Sequence, residues 1–454
     1  MESEEKTNGM NRTMLTDMYQ LTMNAAYFDN HKNDQATFDL FVRKLPKDWG
    51  FFVAAGIEDA VDYASSVRFT ESDIAYLGRQ GLFNPAFLNF LKNFKFTGNI
   101  EAVPEGTPVT PNTPLMRVTG PRMEAQLLET VLLNTINFQT LVASKAARVV
   151  RAAGEAKVVD FGLRRAQEMD ASMKGARAAY MAGAVATSNV LAGKEYGIPV
   201  TGTQAHSFVM SFPNELDAFR AYVKTFPNNT TLLIDTYDTL QGARNAATVG
   251  LELKAKGNRL GAVRLDSGDL AELSKQVRQV LDDAGLEDTK IFASNDLNEY
   301  KIAELRERGA RIDGYGVGTE MITAKPTAAI PGVYKLVADE AGAKIKLSPG
   351  KTSFPGLKQV FRQMGNDGKY ERDVLALESE QVPGNALLVP YVRNGQRVAA
   401  RKDLFEVRRY CLEQVALLPD HAKRLVANPY EMQTSQGLDA LVKEATARVA
   451  GGRA

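Results

Sequence analysis

The middle of this chain repeats a polar mark at a fixed interval. Short apolar runs end at Asp235, Asp266 and Asp296, and the steps between these aspartates are 266 − 235 = 31 and 296 − 266 = 30 residues. Such a step holds one strand, one helix and two loops, which is the arithmetic of a βα repeat built on a parallel sheet. The runs that share the pattern are AKVVDFG, IPVTGTQAHSF, TTLLIDTYD, GAVRLDSGD, TKIFASNDL and IDGYGVGT. Within them VVDF, LLID and AVRLD are apolar without strict alternation, as strands covered on both faces are. After Asp266 the chain predicts a helix: Leu270, Leu273, Val277, Val280 and Leu281 fall on one face, Ser267 is positioned to cap its start and Gly285 to end it. A closed or nearly closed (β/α) barrel is the first reading.

The flanks follow a different grammar. TFDLFVRKLP and GNIEAVPEGTPVTPNTPLMRVTG read as short strands punctuated by Pro and Gly, with a helical stretch over 74–95 between them. Beyond the repeats, VYKLVADEAGAKIKLS reads as a hairpin around Ala341-Gly342, and ALLVPYVRNGQRVA as another around Asn394-Gly395. From 403 onward helices dominate, and the tail ARVAGGRA is expected to fray. At 454 residues the chain has room for several domains on a scale of roughly 100–200 residues each. The division expected is an N-terminal α+β part over 1–140, an α/β barrel core over 141–330, and a C-terminal part over 331–454 that completes the N-terminal domain and ends in helices.

Composition narrows the function classes. With 55 Lys+Arg against 54 Asp+Glu the formal net charge is +1, so the molecule lacks the overall basic field of a nucleic-acid binder. The single Cys411 rules out an internal disulfide framework and a cysteine-built zinc cluster. His31, His206 and His421 are too scattered to form a histidine ligand pair. The opening MESEEKTNG is acidic, without the basic and apolar regions of a signal peptide, and no apolar run of about 18 residues follows. A cytoplasmic protein with no membrane or nucleic-acid partner is expected.

In a βα array the reactive groups gather at the C-terminal ends of the strands. Those ends carry Asp160, Phe161 and Arg164; Thr203 and His206; Asp235 and Asp238; Arg264, Asp266 and Ser267; Asn295 and Asp296; and Gly316 to Thr319. Arginines and a glycine loop bind anions while carboxylates hold a divalent cation, so the set points to an anionic, phosphate-rich ligand. Each element has a plainer reading as well. GYGVGT is a phosphate loop or simply a tight βα turn; His206 is a nucleophile or base, or a satisfied structural histidine. Arg264 and Asp266, two apart on one strand face, are site residues or a structural ion pair. Tyr19, on a helical segment with Leu15, Met18 and Met23, reads from its neighbours as a core residue. KLSPGKTSFPG, with Lys346 and Lys351 around a Pro-Gly turn, is a basic flap or a solvated loop.

Taken in order, LTDMYQLTMNAAYF, DFGLRRAQ, ATSNVLAGKEYGIPVTGTQAHSF, LLIDTYDTLQGARNA, AVRLDSGDL and GYGVGTEM closely resemble the nicotinate phosphoribosyltransferase family, supported by KLSPGKTSFPGLKQVFR. The resemblance runs over about residues 12–362. It implies a type II phosphoribosyltransferase fold: an irregular α/β barrel with a discontinuous α+β domain from both ends, acting as a homodimer whose active site is shared between subunits. It also implies the reaction of nicotinate with phosphoribosyl pyrophosphate to nicotinate mononucleotide and pyrophosphate, a ligase-class step of NAD salvage coupled to ATP hydrolysis, with Mg²⁺ as cofactor and ATP as co-substrate.

The family roles then fall on particular positions. His206 is the residue that ATP phosphorylates, with Arg264 and Asp266 as further catalytic groups. Tyr19, from the partner subunit, and Phe161 enclose the pyridine ring; Arg164, Ser188, Thr203 and Arg264 complete the nicotinate site. Asp235, Asp238, Asp296, Gly316, Gly318 and Thr319 take phosphoribosyl pyrophosphate, and Asp266 is the candidate Mg²⁺ ligand. The related nicotinamide enzymes carry an aspartate where this chain has Ser188, and an aspartate would repel the carboxylate of nicotinate. The chain is also far longer than a quinolinate enzyme is expected to be. A non-catalytic relative would have lost His206, Arg264 or the glycine loop, and a Schiff-base aldolase needs a lysine at a barrel strand end, which these strand ends lack.

Overall fold

The computed structural model describes residues 12–228, 230–348 and 353–451. The chain packs as two units, Val142–Ala328 and the pair of segments Met1–Leu141 and Ala329–Ala454.

The unit Val142–Ala328 holds the repeats. Its strands are β1 (Lys157–Asp160), β2 (Ala186–Thr187), β3 (Thr230–Leu233), β4 (Leu260–Leu265), β5 (Lys290–Ala293) and β6 (Gly314–Val317). They form one sheet in the order β2-β1-β6-β5-β4-β3. Every pairing in it is parallel. The edges β2 and β3 do not pair, so the expected barrel is an open, curled half-barrel. The run IPVTGTQAHSF does not make the strand that the repeat implies. It contributes one isolated bridge, Thr187 to Val200, because Pro199 has no N–H to extend a ladder.

Helices follow the strands as the spacing requires: Glu168–Met181, Val190–Tyr196, Thr239–Lys254, Leu270–Asp283, Glu299–Glu307 and the short Thr319–Ile322. The helix after β4 buries Leu270, Val277 and Leu281, and ends before Gly285, whose φ of +69° is the left-handed conformation a glycine adopts freely. Its cap differs from expectation. Asp269 accepts from the amides of Ala271 and Glu272 at 3.1 and 3.4 Å, whereas Ser267, further from the first turn, gives its hydroxyl to Asp235.

Two glycines of β6 shape the inner face of this sheet. A Cβ on Gly316 would stand 2.4 Å from the ring of Phe161, and one on Gly314 would stand 2.5 Å from the ring of Phe292. The GYG of β6 is thus the gap into which two neighbouring aromatic rings fit.

The other unit joins the two ends of the chain in one antiparallel sheet of seven strands. Gln35–Val42 lies between Gly332–Asp339 and Pro114–Pro121. Both predicted hairpins are present. Asp339 pairs with Gly342, and Arg393 pairs with Gln396 across Asn394-Gly395, where φ values of +50° and +75° give the twist of a two-residue turn. The single helical stretch expected over 74–95 is two helices, Glu71–Arg79 and Pro85–Lys92. Gly81 turns the chain at φ +70° and Asn84 caps the second helix ahead of Pro85. The buried ion pairs of this unit include Lys358 with Asp39 at 2.9 Å and Arg362 with Asp373 at 2.7 Å.

After 403 the helices Leu404–Ala416 and Gln436–Gly451 flank a short strand, Met432–Thr434, which pairs in parallel with Tyr370–Leu377. The tail stays helical to Gly451, with residues 452–454 outside the described residues. Lys351 and residues 1–11, which include all of MESEEKTNG, also lie outside the described residues. Among the described residues no helix is long and apolar enough to cross a membrane.

Replacing Gly316 by alanine should force the Phe161 ring from its seat. Overpacking of this kind typically costs about 1–3 kcal/mol, so the urea midpoint should fall. An unchanged midpoint would show that the ring does not depend on the missing Cβ.

Candidate active site

Parallel pairing sends the C-terminal ends of all six strands to one edge of the half-barrel. The inner face below that edge encloses a cavity of about 690 Å³, within the range of about 300–1,000 Å³ common to small-molecule sites. Alternation along the strands decides what lines it: Lys157, Val159 and Phe161 continue from β1, Ala262 and Arg264 come from β4, and Lys290 and Phe292 from β5. Thr201, Gly202 and Thr203 close one side. Phe161 and Arg264 therefore meet at the end where the polar loops gather, with the guanidinium carbon 5.9 Å from the ring centroid.

Arg264 is held on all three of its nitrogens. Nη1 donates to the Thr203 hydroxyl at 2.5 Å, Nε donates to the Ser294 hydroxyl at 3.1 Å, and Nη2 lies 3.4 Å from Asp266 Oδ1. Three-quarters or more of the side chain is covered, yet it borders the cavity, so an incoming carboxylate meets a preset cation beside an aromatic face.

His206 begins the short helix His206–Met210. Its Nδ1 is 3.2 Å from the Thr236 hydroxyl and its Nε2 is 3.8 Å from Asp266 Oδ2. A carboxylate beside Nε2 favours a proton on that nitrogen, which leaves Nδ1 to accept from Thr236. Asp266 Oδ1 in turn accepts from the Ser294 hydroxyl. Asp235 Oδ2 accepts from the amide of Asp266 at 2.8 Å and from the Ser267 hydroxyl at 2.6 Å, while its Oδ1 is buried without a hydrogen-bond partner. Glu215 lies close to the same carboxylates: burial pushes its acid up, and the charges of Asp235 and Asp238 push it the same way against a bond from Asn245.

The other predicted residues are distributed around this centre. Asp160, buried at the end of β1, accepts from the Thr187 hydroxyl at 2.7 Å and from the Gly162 amide at 2.8 Å, which ties the β1 and β2 ends together. Burial pushes its carboxyl up. Ser188 follows β2, its amide bonded to the Asp160 carbonyl at 2.9 Å, and is not among the cavity-lining residues. Arg164 is exposed on the turn Leu163–Arg165, which carries it away from the cavity wall. Asp238 caps the helix Thr239–Lys254 through a 2.7 Å bond from Gln241.

Asp296 is exposed in a loop where it and Asn295 both have positive φ, +43° and +92°. Gly316 sits within β6, whereas Gly318 and Thr319 lead into the helix Thr319–Ile322. Tyr19 belongs to the other unit. It lies on the helix Met18–Asp29 and is 46% exposed, as are Met18 and, at 51%, Leu15, so the core reading of Tyr19 fails, while Leu21 of the same helix is buried. Thr236 and Ser294 were not singled out by sequence. Both are hydroxyl residues near a strand-end aspartate, and only the strand register shows which of many such residues face inward.

Three family models match the chain: the nicotinate phosphoribosyltransferase N-terminal domain over residues 14–137, the nicotinate phosphoribosyltransferase family over 156–332, and the nicotinate phosphoribosyltransferase C-terminal domain over 384–442. The chain is 45% identical over 420 residues to nicotinate phosphoribosyltransferase pncB2 of Mycobacterium tuberculosis, covering 92% of this chain and 90% of that one. It is 46% identical over 376 residues to the nicotinate phosphoribosyltransferase of Bacillus subtilis, with coverages of 81% and 76%. Its structure is similar to the crystal structure of human nicotinic acid phosphoribosyltransferase, with a TM-score of 0.85, 31% identity, and 94% and 99% of the two chains covered. By these matches, laid over the half-barrel and its strand-end cluster, the chain belongs to the nicotinate phosphoribosyltransferase family.

Proposed function

We propose that this protein joins nicotinate to phosphoribosyl pyrophosphate, giving nicotinate mononucleotide and pyrophosphate, and couples that step to ATP hydrolysis through a phosphohistidine at His206 in NAD salvage. The observation that carries the reading is Arg264, a fixed guanidinium beside Phe161 at the mouth of the cavity. A planar pyridine carboxylate matches it: the ring lies on Phe161 and the carboxylate takes the guanidinium and the Thr203 hydroxyl. Serine at 188, where the related nicotinamide enzymes carry an aspartate, supports the acid over the amide.

The pyridine nitrogen is itself the nucleophile, so no protein base is needed to activate it. Loss of pyrophosphate from C1 builds positive charge on the ribose and negative charge on the leaving group, which makes positioning and electrostatics the main sources of rate. Asp235, Asp238 and Asp296 serve the ribose and the cation, and Gly316, Gly318 and Thr319 the 5-phosphate. The buried, unpartnered Asp235 Oδ1, with Asp266 beside it, is a hard oxygen set that fits Mg²⁺. No group of three or more such ligands is assembled among the described residues, which suits a cation shared with substrate phosphates. When bound, Mg²⁺ supplies charge neutralisation at the phosphates.

His206 acts in the energy-coupling half. An imidazole nitrogen takes the terminal phosphoryl group of ATP, releasing ADP, and the phosphoryl group then passes to water. Asp266 and Thr236 hold the ring from opposite nitrogens. The exposed face of Tyr19, Met18 and Leu15 supports a homodimer in which Tyr19 of one subunit stacks on the pyridine bound by the other. A cytoplasmic location fits the ordinary composition and single cysteine.

Rates of pyridine mononucleotide formation from phosphoribosyl pyrophosphate and Mg²⁺ should be measured with nicotinate, nicotinamide and quinolinate, each with and without ATP. Turnover of nicotinate alone, accelerated by ATP, is expected; equal use of nicotinamide would contradict the acid site. His206→Ala should keep slow ATP-independent transfer and lose the acceleration. Normal acceleration in that variant would remove His206 from the coupling.

A further inference from the structure

Three groups of the site share one small network. Ser294 follows β5, is 4% exposed, and its amide donates to the Leu265 carbonyl at 2.9 Å, which sets it directly beside Asp266 at the end of β4. Its hydroxyl has one hydrogen, given to Asp266 Oδ1, and it accepts from Arg264 Nε at 3.1 Å. The contact between Arg264 Nη2 and Asp266 Oδ1 is longer, at 3.4 Å. The other oxygen of Asp266 faces His206 Nε2 at 3.8 Å.

A carboxylate arriving in the cavity draws on the same guanidinium. The Nη2 contact is the longest of the three that hold Arg264 and the one not closed as a hydrogen bond, so Nη2 is the nitrogen free to turn to a ligand. Once Nη2 turns to the ligand, Asp266 loses part of its cationic neighbour, and its charge falls more fully on the imidazole N–H across from it. That raises the electron density on the other ring nitrogen. The response is directed only if Asp266 stays in place while Arg264 changes partner, and the Ser294 hydroxyl is the group that fixes it.

We propose that Ser294 is a positioning residue that makes the reactivity of His206 toward ATP depend on whether a carboxylate occupies Arg264. This inference rests on the phosphohistidine reading above. Ser294 touches neither the pyridine acid nor the phosphates. It acts by holding Arg264 and Asp266 in one hydrogen-bonded unit, so that binding at one end is felt at the other, and by linkage the coupling is reciprocal.

The test is the full-length protein with ATP labelled in its terminal phosphate, plus and minus nicotinate, read as label retained on the protein and as ATP hydrolysed per mononucleotide formed. In the wild type, nicotinate should change the labelling rate and the ratio should stay near a fixed value. In Ser294→Ala the nicotinate dependence of labelling should fall by about tenfold, as expected for losing a hydrogen bond to a charged group. ATP consumed per mononucleotide should rise accordingly. Ser294→Thr, which keeps the hydroxyl, should restore both. Simple damage to folding lowers hydrolysis and transfer together and leaves their ratio unmoved, so an unchanged ratio with unchanged nicotinate dependence in Ser294→Ala overturns the proposal. Wild-type protein that never retains label at any nicotinate concentration overturns the phosphohistidine reading and this inference with it, and is distinguishable because the variant is not needed to see it.

Discussion

Parallel pairing is the constraint on which the rest depends. Because β1 to β6 all run the same way, the residues that end them are delivered to one edge, and a single guanidinium there can reach groups from two strand ends and from the Thr201–Thr203 segment. Arg264 from β4 touches Thr203, Ser294 after β5, and Asp266 after its own strand. The 690 Å³ cavity opens onto that junction because β6, in the middle of the sheet, carries glycines where neighbouring strands carry rings. A bulkier residue at Gly316 would collide with the Phe161 ring.

The electrostatics of the junction follow from that crowding. One arginine faces Asp266, while Asp235, Asp238 and Glu215 gather a short distance away, so the site carries more negative than positive charge from its own side chains. Burial alone would make such a cluster costly. Amide and hydroxyl donors answer part of it: Asp235 is held by the Asp266 amide and Ser267, Asp160 by Thr187 and the Gly162 amide. What remains unanswered is Asp235 Oδ1, a hard oxygen of the kind that suits a divalent cation. The same surplus charge gives His206 a neighbour at Nε2, while Thr236 holds the opposite nitrogen.

Much of this was legible in the chain before any coordinates. The interval of 31 and 30 residues located three strand ends, and the apolar runs marked a sheet covered on both sides. What failed did so where a local rule met a competitor. Ser267 is a good cap by type, but Asp269 is closer to the first turn and Asp235 takes the serine. Tyr19 follows an apolar spacing that reads as core, yet Leu15, Met18 and Tyr19 are exposed while the same helix buries Gln20, Leu21 and Asn24. GYGVGT, open between an anion loop and a βα turn when read from the chain, places Gly314 and Gly316 in the strand beside aromatic rings and Gly318 and Thr319 beyond it. Thr236 and Ser294 were invisible for a different reason. Small hydroxyl residues are common in such loops, and their meaning comes from the register that sets Ala293 beside Leu265, which no spacing within the chain encodes.

The central claim is that Arg264, backed by Phe161, is where a pyridine carboxylate is recognised. A crystal structure of the protein with nicotinate tests it most directly. The account predicts carboxylate oxygens within about 3.2 Å of the Arg264 guanidinium, the ring against Phe161, and Nη2 withdrawn from Asp266. A carboxylate seated on Arg164 or elsewhere, with the Arg264, Ser294 and Asp266 contacts unchanged, would contradict it.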